Sequence, residues 1–399
     1  MYSGSSPGSS ISGKLRACGA VFACAGCFFT PLSTSLLGLF SILAALAWLL
    51  SGGLFDLPQI LRNHRSTLCA LALFCLMALA VSYSEAPPIQ ALETLKKYRE
   101  LLLFPVIMGL FSLSPRYRAW AEYAFLAGCI VLMLVSYLMF FSLVPEERYG
   151  HSLVYHITHS FFMAILSFWV LHKALTNAPG RSLWLFIFLA AVVNIFYIAP
   201  GRTGMLVFCC LMLLFFYQKF SLGKWFLCMA LFIAVMGGVY QSSDNFSGRV
   251  KEVINEVNHY QPGQSRTSIG QRFDWWNSSI ALIKQKPLLG HGTGSFPLVH
   301  QKIIENTSVT ATDNPHNEYL FICVQFGLIG LALFFCLIVF QLIEGARLDK
   351  SPRHLLQGVI LAFLAGSLMN SLLFDSQQGH FYLFMSCALL AAGPQHSRK

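Results

Sequence analysis

Residues 315–342 read PHNEYLFICVQFGLIGLALFFCLIVFQL. From Tyr319 onward the run is apolar and long enough to cross a bilayer, which takes ~20 helical residues. Pro315-His316-Asn317-Glu318, just before it, close the only long polar stretch of the chain, residues 241–316. An imidazole at that junction meets water, a polar loop and a membrane-embedded helix at once. A reaction joining a water-soluble group to a lipid-borne one needs its proton acceptor at such a place. The plain alternative is a boundary histidine that caps a turn.

Working outward, the composition sets the class. Of the 399 residues 56% are hydrophobic and 11% charged, against about 25% charged in soluble domains. Apolar stretches recur at 17–30, 33–50, 67–83, 100–113, 119–143, 152–171, 183–199, 204–217, 225–240, 319–342, 355–373 and 379–393. They predict an all-α integral membrane protein of about twelve transmembrane helices. An open sheet would leave backbone groups unsatisfied in lipid. Residues 1–240 then hold nine spans, 241–316 a long helical external loop, and 317–399 three further spans, all in one domain. The Ser/Gly stretch 3–13 reads as a disordered tail. Lys14 and Arg16 before a short apolar run resemble a signal peptide, but an uncleaved first helix is preferred.

Lysine and arginine orient the bundle. With the N-terminus in the cytoplasm, each inner connection carries at least two, for example Lys14 and Arg16, Arg62 and Arg65, Arg347, Lys350 and Arg353, and Arg398 and Lys399. Acidic Glu85, Glu93, Glu146, Glu147 and Asp375 fall outside. The net charge of +10 is therefore topogenic, and no nucleic-acid surface is expected.

In the long loop, Phe246, Val250, Val253, Ile254 and Val257 recur at helical spacing over 246–260, predicting an amphipathic helix on the membrane surface. A connector over 261–270 leads to a second helix, 270–285, which carries Arg272, Asp274 and Trp275 and stops before Pro287. Gly290-His291-Gly292-Thr293-Gly294 lacks the strand–turn–helix setting of a dinucleotide loop and is expected to be a tight turn. The twelve cysteines, Cys24 and Cys27 among them, behave as small apolar residues. Near His151, His156 and His159 only Glu146 and Glu147 offer further metal ligands, and no metal is expected.

Arg202, between Gly201 and Gly204 in a short external connection, stands where basic residues are unexpected. It either snorkels to lipid phosphate or serves a dedicated phosphate site. Arg272 is similar, and Lys96, Lys97 and Arg99 lie just before the fourth span. Together they offer cations at membrane level beside one histidine, a setting suited to a lipid pyrophosphate.

His316, Asn317, Gly327 and Gly330 fit a pattern H-[N/S/Q]-x9-G-x2-[G/T/Y] that resembles the O-antigen ligase superfamily. The resemblance extends to Arg202 and Leu206 in R-x3-L, and to 272–296 with its Trp pair, Lys286-Pro287 and glycine turn. It implies a bacterial inner-membrane glycosyltransferase whose active site and long loop face the periplasm. Such an enzyme moves O-antigen polysaccharide from undecaprenyl pyrophosphate to a sugar hydroxyl of lipid A-core and inverts the anomeric centre, without nucleotide, metal or other cofactor. His316 would be the base, and Arg202 and Arg272 would hold the departing pyrophosphate. Asn317 would orient the imidazole, Asp375 would pair with an arginine or orient His316, and Lys97 and Arg99 would recruit anionic substrates. An O-antigen polymerase or a protein O-oligosaccharyltransferase of the same superfamily is the nearer alternative. A twelve-helix transporter or flippase is the more distant one, though neither related halves nor broken midplane helices are evident.

Overall fold

The computed structural model describes residues 11–146, 149–176, 180–264 and 266–392. Of the tail expected over 3–13, residues 3–10 lie outside the described residues, as do Glu147, Ser265, Arg398 and Lys399, whereas 11–13 begin the first helix instead of a disordered tail.

Every described element of regular structure is helical. The chain opens with α1 (Ile11–Phe29) packed antiparallel on α2 (Thr34–Leu50), where Ser33 caps the turn by accepting from the Leu36 amide. A 3-10 turn, Gly53–Asp56, leads to the short α3 (Leu57–Asn63) and α4 (Arg65–Leu79). α5 (Pro88–Lys97), α6 (Glu100–Phe111) and α7 (Pro115–Phe140) follow. α8 (His156–Leu175) packs against α9 (Arg181–Val193) and α10 (Arg202–Lys219), with a π-turn, Asn194–Ile198, ending α9. α11 (Leu222–Ser242) buries no residue in the protein and stands at the edge of the bundle. α12 (Asp244–Asn258), α13 (Ser268–Gln285) and α14 (Phe296–Ile304) make the polar segment, and α15 (Glu318–Gly345), α16 (Lys350–Ser367) and α17 (Ser376–Leu390) close the bundle.

A helix falls within each of the twelve apolar stretches. Among the described residues, six helices are long and apolar enough to cross a membrane: α1, α7, α9 with its π-turn, α10, α11 and α15. A seventh is reached if α2 and the segment through α3, bent by 80°, count as one span. The others miss the length or hydropathy for physical reasons. α6 has 12 residues. α8 is buried without interruption from Thr158 to Val170, so its faces meet protein and tolerate His159, Ser160 and Ser167. α17 is buried from Gln377 to Leu390 in the same way.

The glycines of the α15 motif have a structural task. Gly327 takes φ 62° and ψ −165° and breaks the helix, a conformation open to glycine. The break frees backbone groups that lipid cannot satisfy. The loop after α13 satisfies them: the His291 and Gly292 amides donate to the Val324 and Gln325 carbonyls at 2.8 and 2.9 Å, and the Leu328 amide donates to the Pro287 carbonyl at 2.8 Å. A methyl group at Gly327 would collide with the Leu288 carbonyl oxygen. The 290–294 glycine run is thus a tight docking turn. Glu85 anchors its far side, accepting from Lys286 at 2.8 Å and from His291 Nδ1 at 2.7 Å. The Lys286 hydrogen bond is the main reason the Glu85 carboxyl is lowered to about 2.

Candidate functional site

α10 starts at Arg202, and its entry lies tight on α8. A side chain at Gly201 or Gly204 would overlap Ser160, so these glycines let Arg202 and Thr203 sit against that helix. Arg202 turns to α12, where Nη2 donates to Glu252 Oε2 at 2.8 Å and Glu256 Oε1 at 3.1 Å. Arg249 shares Glu252 at 3.1 Å. These hydrogen bonds, that from Arg202 first, hold the Glu252 carboxyl below its ordinary value. Glu256 also accepts from the Ile269 amide at 2.7 Å, which ties α12 to the start of α13.

Arg272, on α13, makes no ion pair among the described residues. Burial and then the nearby Arg202 push its guanidinium below its ordinary value. Trp275 and Trp276 follow at i+3 and i+4 and therefore share its side of the helix. Their indole N–H groups reach the segment before α15: Trp275 Nε1 donates to the Thr310 carbonyl at 2.8 Å, and Trp276 Nε1 to the Pro315 carbonyl at 3.0 Å. The Trp pair thereby fastens the arginine helix to the residue preceding His316.

His316 has φ 52°, a left-handed conformation costing a non-glycine residue roughly 1–2 kcal/mol. Asn314 supports it, with Oδ1 accepting from the His316 amide at 2.8 Å and from Ser371 Oγ at 2.7 Å. The imidazole lies 5.4 Å from the Trp275 ring. Its pKa is lowered to about 4, first by burial and then by Arg272, with a hydrogen bond toward Asn370 opposing. The ring is thus neutral at pH 7.

Two cavities meet here. One, of 210 Å³, is lined by Arg202, Arg249, Arg272, His156, Thr203 and Ser268 among others. The second, of 280 Å³, is lined by His316, Asn370, Asp375, Thr158, Gln377 and Gln378 among others. Tyr155 and Ile157 border both. Asn370 links them as well, since its Nδ2 donates to Thr203 Oγ1 at 2.9 Å. The first cavity is cationic and suits phosphate oxygens. The second is polar, with the Asp375 carboxylate among hydroxyl and amide groups of the kind that bind sugars.

His316, Arg202, Arg272 and Asp375 are therefore brought to adjoining cavities, and three other expected residues are not. Asn317 caps α15 by accepting from the Leu320 amide at 3.1 Å and donates to the Leu368 carbonyl at 3.2 Å. The amide facing the imidazole belongs to Asn370. Lys97 is exposed, with Nζ 4.0 Å over the Phe374 ring. Its charge opposes the burial that raises Asp375 to about 6. Arg99 is exposed, and its Nη1 donates to the Lys96 carbonyl at 2.9 Å. Neither cation lines the cavities. Sequence reasoning also missed Arg249, which falls between the apolar positions of the expected 246–260 helix, and Asn370. The signal for Asn370 was a polar side chain near the end of the apolar stretch 355–373. His159 and Asn194 pair at 2.7 Å, and His151 meets Glu146 at 2.9 Å. No group of three or more potential metal ligands occurs among the described residues.

Residues 186–335 match the family model described as O-Antigen ligase. That span includes Arg202, Arg272, His316, Gly327 and Gly330. A Haemophilus influenzae protein described as an uncharacterized protein is 24% identical over 244 residues, covering 58% of this chain and 60% of that protein. The match thus spans less than two thirds of the relative.

Proposed function

We propose that this multi-pass membrane protein, whose residues 186–335 match the O-antigen ligase family model, is an inverting glycosyltransferase of that superfamily. The donor is a polysaccharide on undecaprenyl pyrophosphate, and the acceptor is a sugar hydroxyl of lipid A-core. On this reading all twelve apolar stretches lie within the bilayer of the inner membrane, and 241–316 faces the periplasm.

The observation that supports this most is the wall of Tyr155 and Ile157 between the arginine cavity and the His316 cavity. It sets a cationic cavity beside a neutral imidazole, which supports reading the first as the pyrophosphate site and the second as the base. Pyrophosphate is already an activated leaving group, so neither nucleotide nor metal is required. Arg272, with Arg202, holds the pyrophosphate and takes up the charge that grows on it. His316 removes the acceptor hydroxyl proton as the oxygen attacks the anomeric carbon. The carbon–oxygen bond to pyrophosphate breaks, its electron pair leaves with undecaprenyl pyrophosphate, and the configuration inverts. The imidazolium returns its proton to solvent or to the departing phosphate. Asn370, held by its Nδ2 bond to Thr203, orients the imidazole, and accepting through Oδ1 selects the tautomer that leaves the other ring nitrogen unprotonated.

The test is transfer by purified protein in detergent, with lipid-linked polysaccharide, lipid A-core and EDTA, and no nucleotide. Capped lipid A-core is the expected product, and His316→Ala and Arg272→Ala should each abolish it while inserting normally. A strict metal requirement, or near-normal transfer by both variants, would overturn the proposal. Lengthening of lipid-linked repeats in place of capping would make the enzyme a polymerase.

A further inference from the structure

A second charged cavity lies at the opposite end of the bundle. It measures 730 Å³ and is lined by Arg353, His354, Gln218, Gln357, Tyr217 and Leu342 among others. Two helices connect it to the site described above. α10 runs from Arg202 to Lys219, and α8 from His156 past His172 to Leu175. Eighteen residues of α10 span ~27 Å at 1.5 Å per residue, close to the ~30 Å hydrocarbon core. The cavity therefore sits at the other membrane face.

Its chemistry is that of an anion site. Lys219 and Lys350 flank Arg353 and His354, and none of the four makes an ion pair among the described residues. The nearby carboxylate of Glu344 is turned away and accepts from the Ser66 amide and hydroxyl at 2.9 and 2.8 Å. Asp349 is exposed and does not line the cavity. Polar capacity is left over: His354 Nδ1 is buried without a hydrogen-bond partner, a costly state unless something occupies the space, while the Gln218 amide donates to the His354 carbonyl at 3.2 Å and to Gln357 Oε1 at 2.8 Å and pairs with His172. The rim also fits a lipid better than a soluble anion. Tyr217 and Leu342, 73% and 41% exposed, give the cationic pocket an exposed apolar rim.

We propose that this cavity binds the phosphodiester headgroup of an anionic phospholipid from the leaflet opposite the His316 site. Arg353 holds the phosphate, the Gln357 amide nitrogen meets a headgroup hydroxyl, and the acyl chains leave past Tyr217 and Leu342.

The test uses the full chain in detergent with dioleoylphosphatidylglycerol or dioleoylphosphatidylcholine, reading lipid adducts by native mass spectrometry and the thermal unfolding midpoint in parallel. Phosphatidylglycerol should give at least about fivefold more adduct and raise the midpoint. Arg353→Gln should reduce both effects to the phosphatidylcholine level, and Arg353→Lys should keep part of them. Arg181→Gln, an exposed cation at the same face outside the cavity, should retain both. Equal adducts with the two lipids, unchanged binding by Arg353→Gln, or full displacement by millimolar orthophosphate would overturn the assignment. The last result would make the ligand a free phosphate.

Discussion

At the scale of single residues, the site depends on the protonation of His316. Protonation removes the base, so the rate falls as pH drops through its pKa. In the free enzyme that value is about 4, depressed by burial and by Arg272. A bound pyrophosphate offsets the Arg272 charge and makes the imidazole a stronger base. The acid limb of kcat should therefore lie at higher pH than that of kcat/KM, which reports the free enzyme. The pH–rate profiles of wild type and Asp375→Asn check this. A limb near 6 that vanishes in the variant belongs to Asp375, whose carboxyl is raised to about 6 by burial. Identical kcat and kcat/KM limbs would refute the coupling. The same shift bears on stability. The folded-state value lies below the ordinary histidine value of about 6.5, so the unfolded chain takes up this proton first, and the contribution is lost as pH falls from about 6.5 toward 4. Asn370→Ala should lower kcat by about tenfold or more with little change in KM, because it disturbs the imidazole and not the phosphate contacts.

At the scale of elements, α12 and the broken α15 carry distinct expectations. In the empty site Arg202 is occupied by Glu252 and Glu256, so a phosphate ligand must compete with two carboxylates. Glu252→Gln should lower KM for the lipid-linked donor several-fold, read from initial rates at varied donor. An unchanged or higher KM would mean that the pair positions Arg202 for catalysis. For α15, Gly327→Ala forces a side chain into positive φ and against Leu288. The strain term alone is about 1–3 kcal/mol, so the unfolding midpoint should fall clearly. Gly223→Ala, with open space around it, should leave it nearly unchanged. The spacing of Gly327 and Gly330 was visible in the sequence as a motif, but its use was not. The turn that fills the α15 break comes from residues 287–292, more than thirty positions earlier, and no local pattern announces that pairing.

At the scale of the whole molecule, the two polar ends of α8 and α10 should open to opposite sides of the membrane. With the exposed Cys18, Cys75 and Cys336 changed to serine, Ala311→Cys should react with an impermeant maleimide in spheroplasts. Lys350→Cys should react only after permeabilisation. Labelling of both from the same side would remove the topology on which the proposed reaction depends.

Helix formation and membrane class followed from the sequence alone, because apolar runs without charge have only helical solutions in lipid. Arg202, Arg272 and His316 stood out for a related reason, since charged or titratable groups at a bilayer edge are costly unless used. Local composition could not say which helices face protein instead of lipid, as α8 and α17 do. It could not say that Asn370 and not Asn317 meets the imidazole, nor that Glu252 and Glu256 occupy Arg202. Those outcomes were decided by the tertiary structure. They depend on contacts between segments distant in the chain, whose partners are chosen by packing and by the need to satisfy every buried polar group.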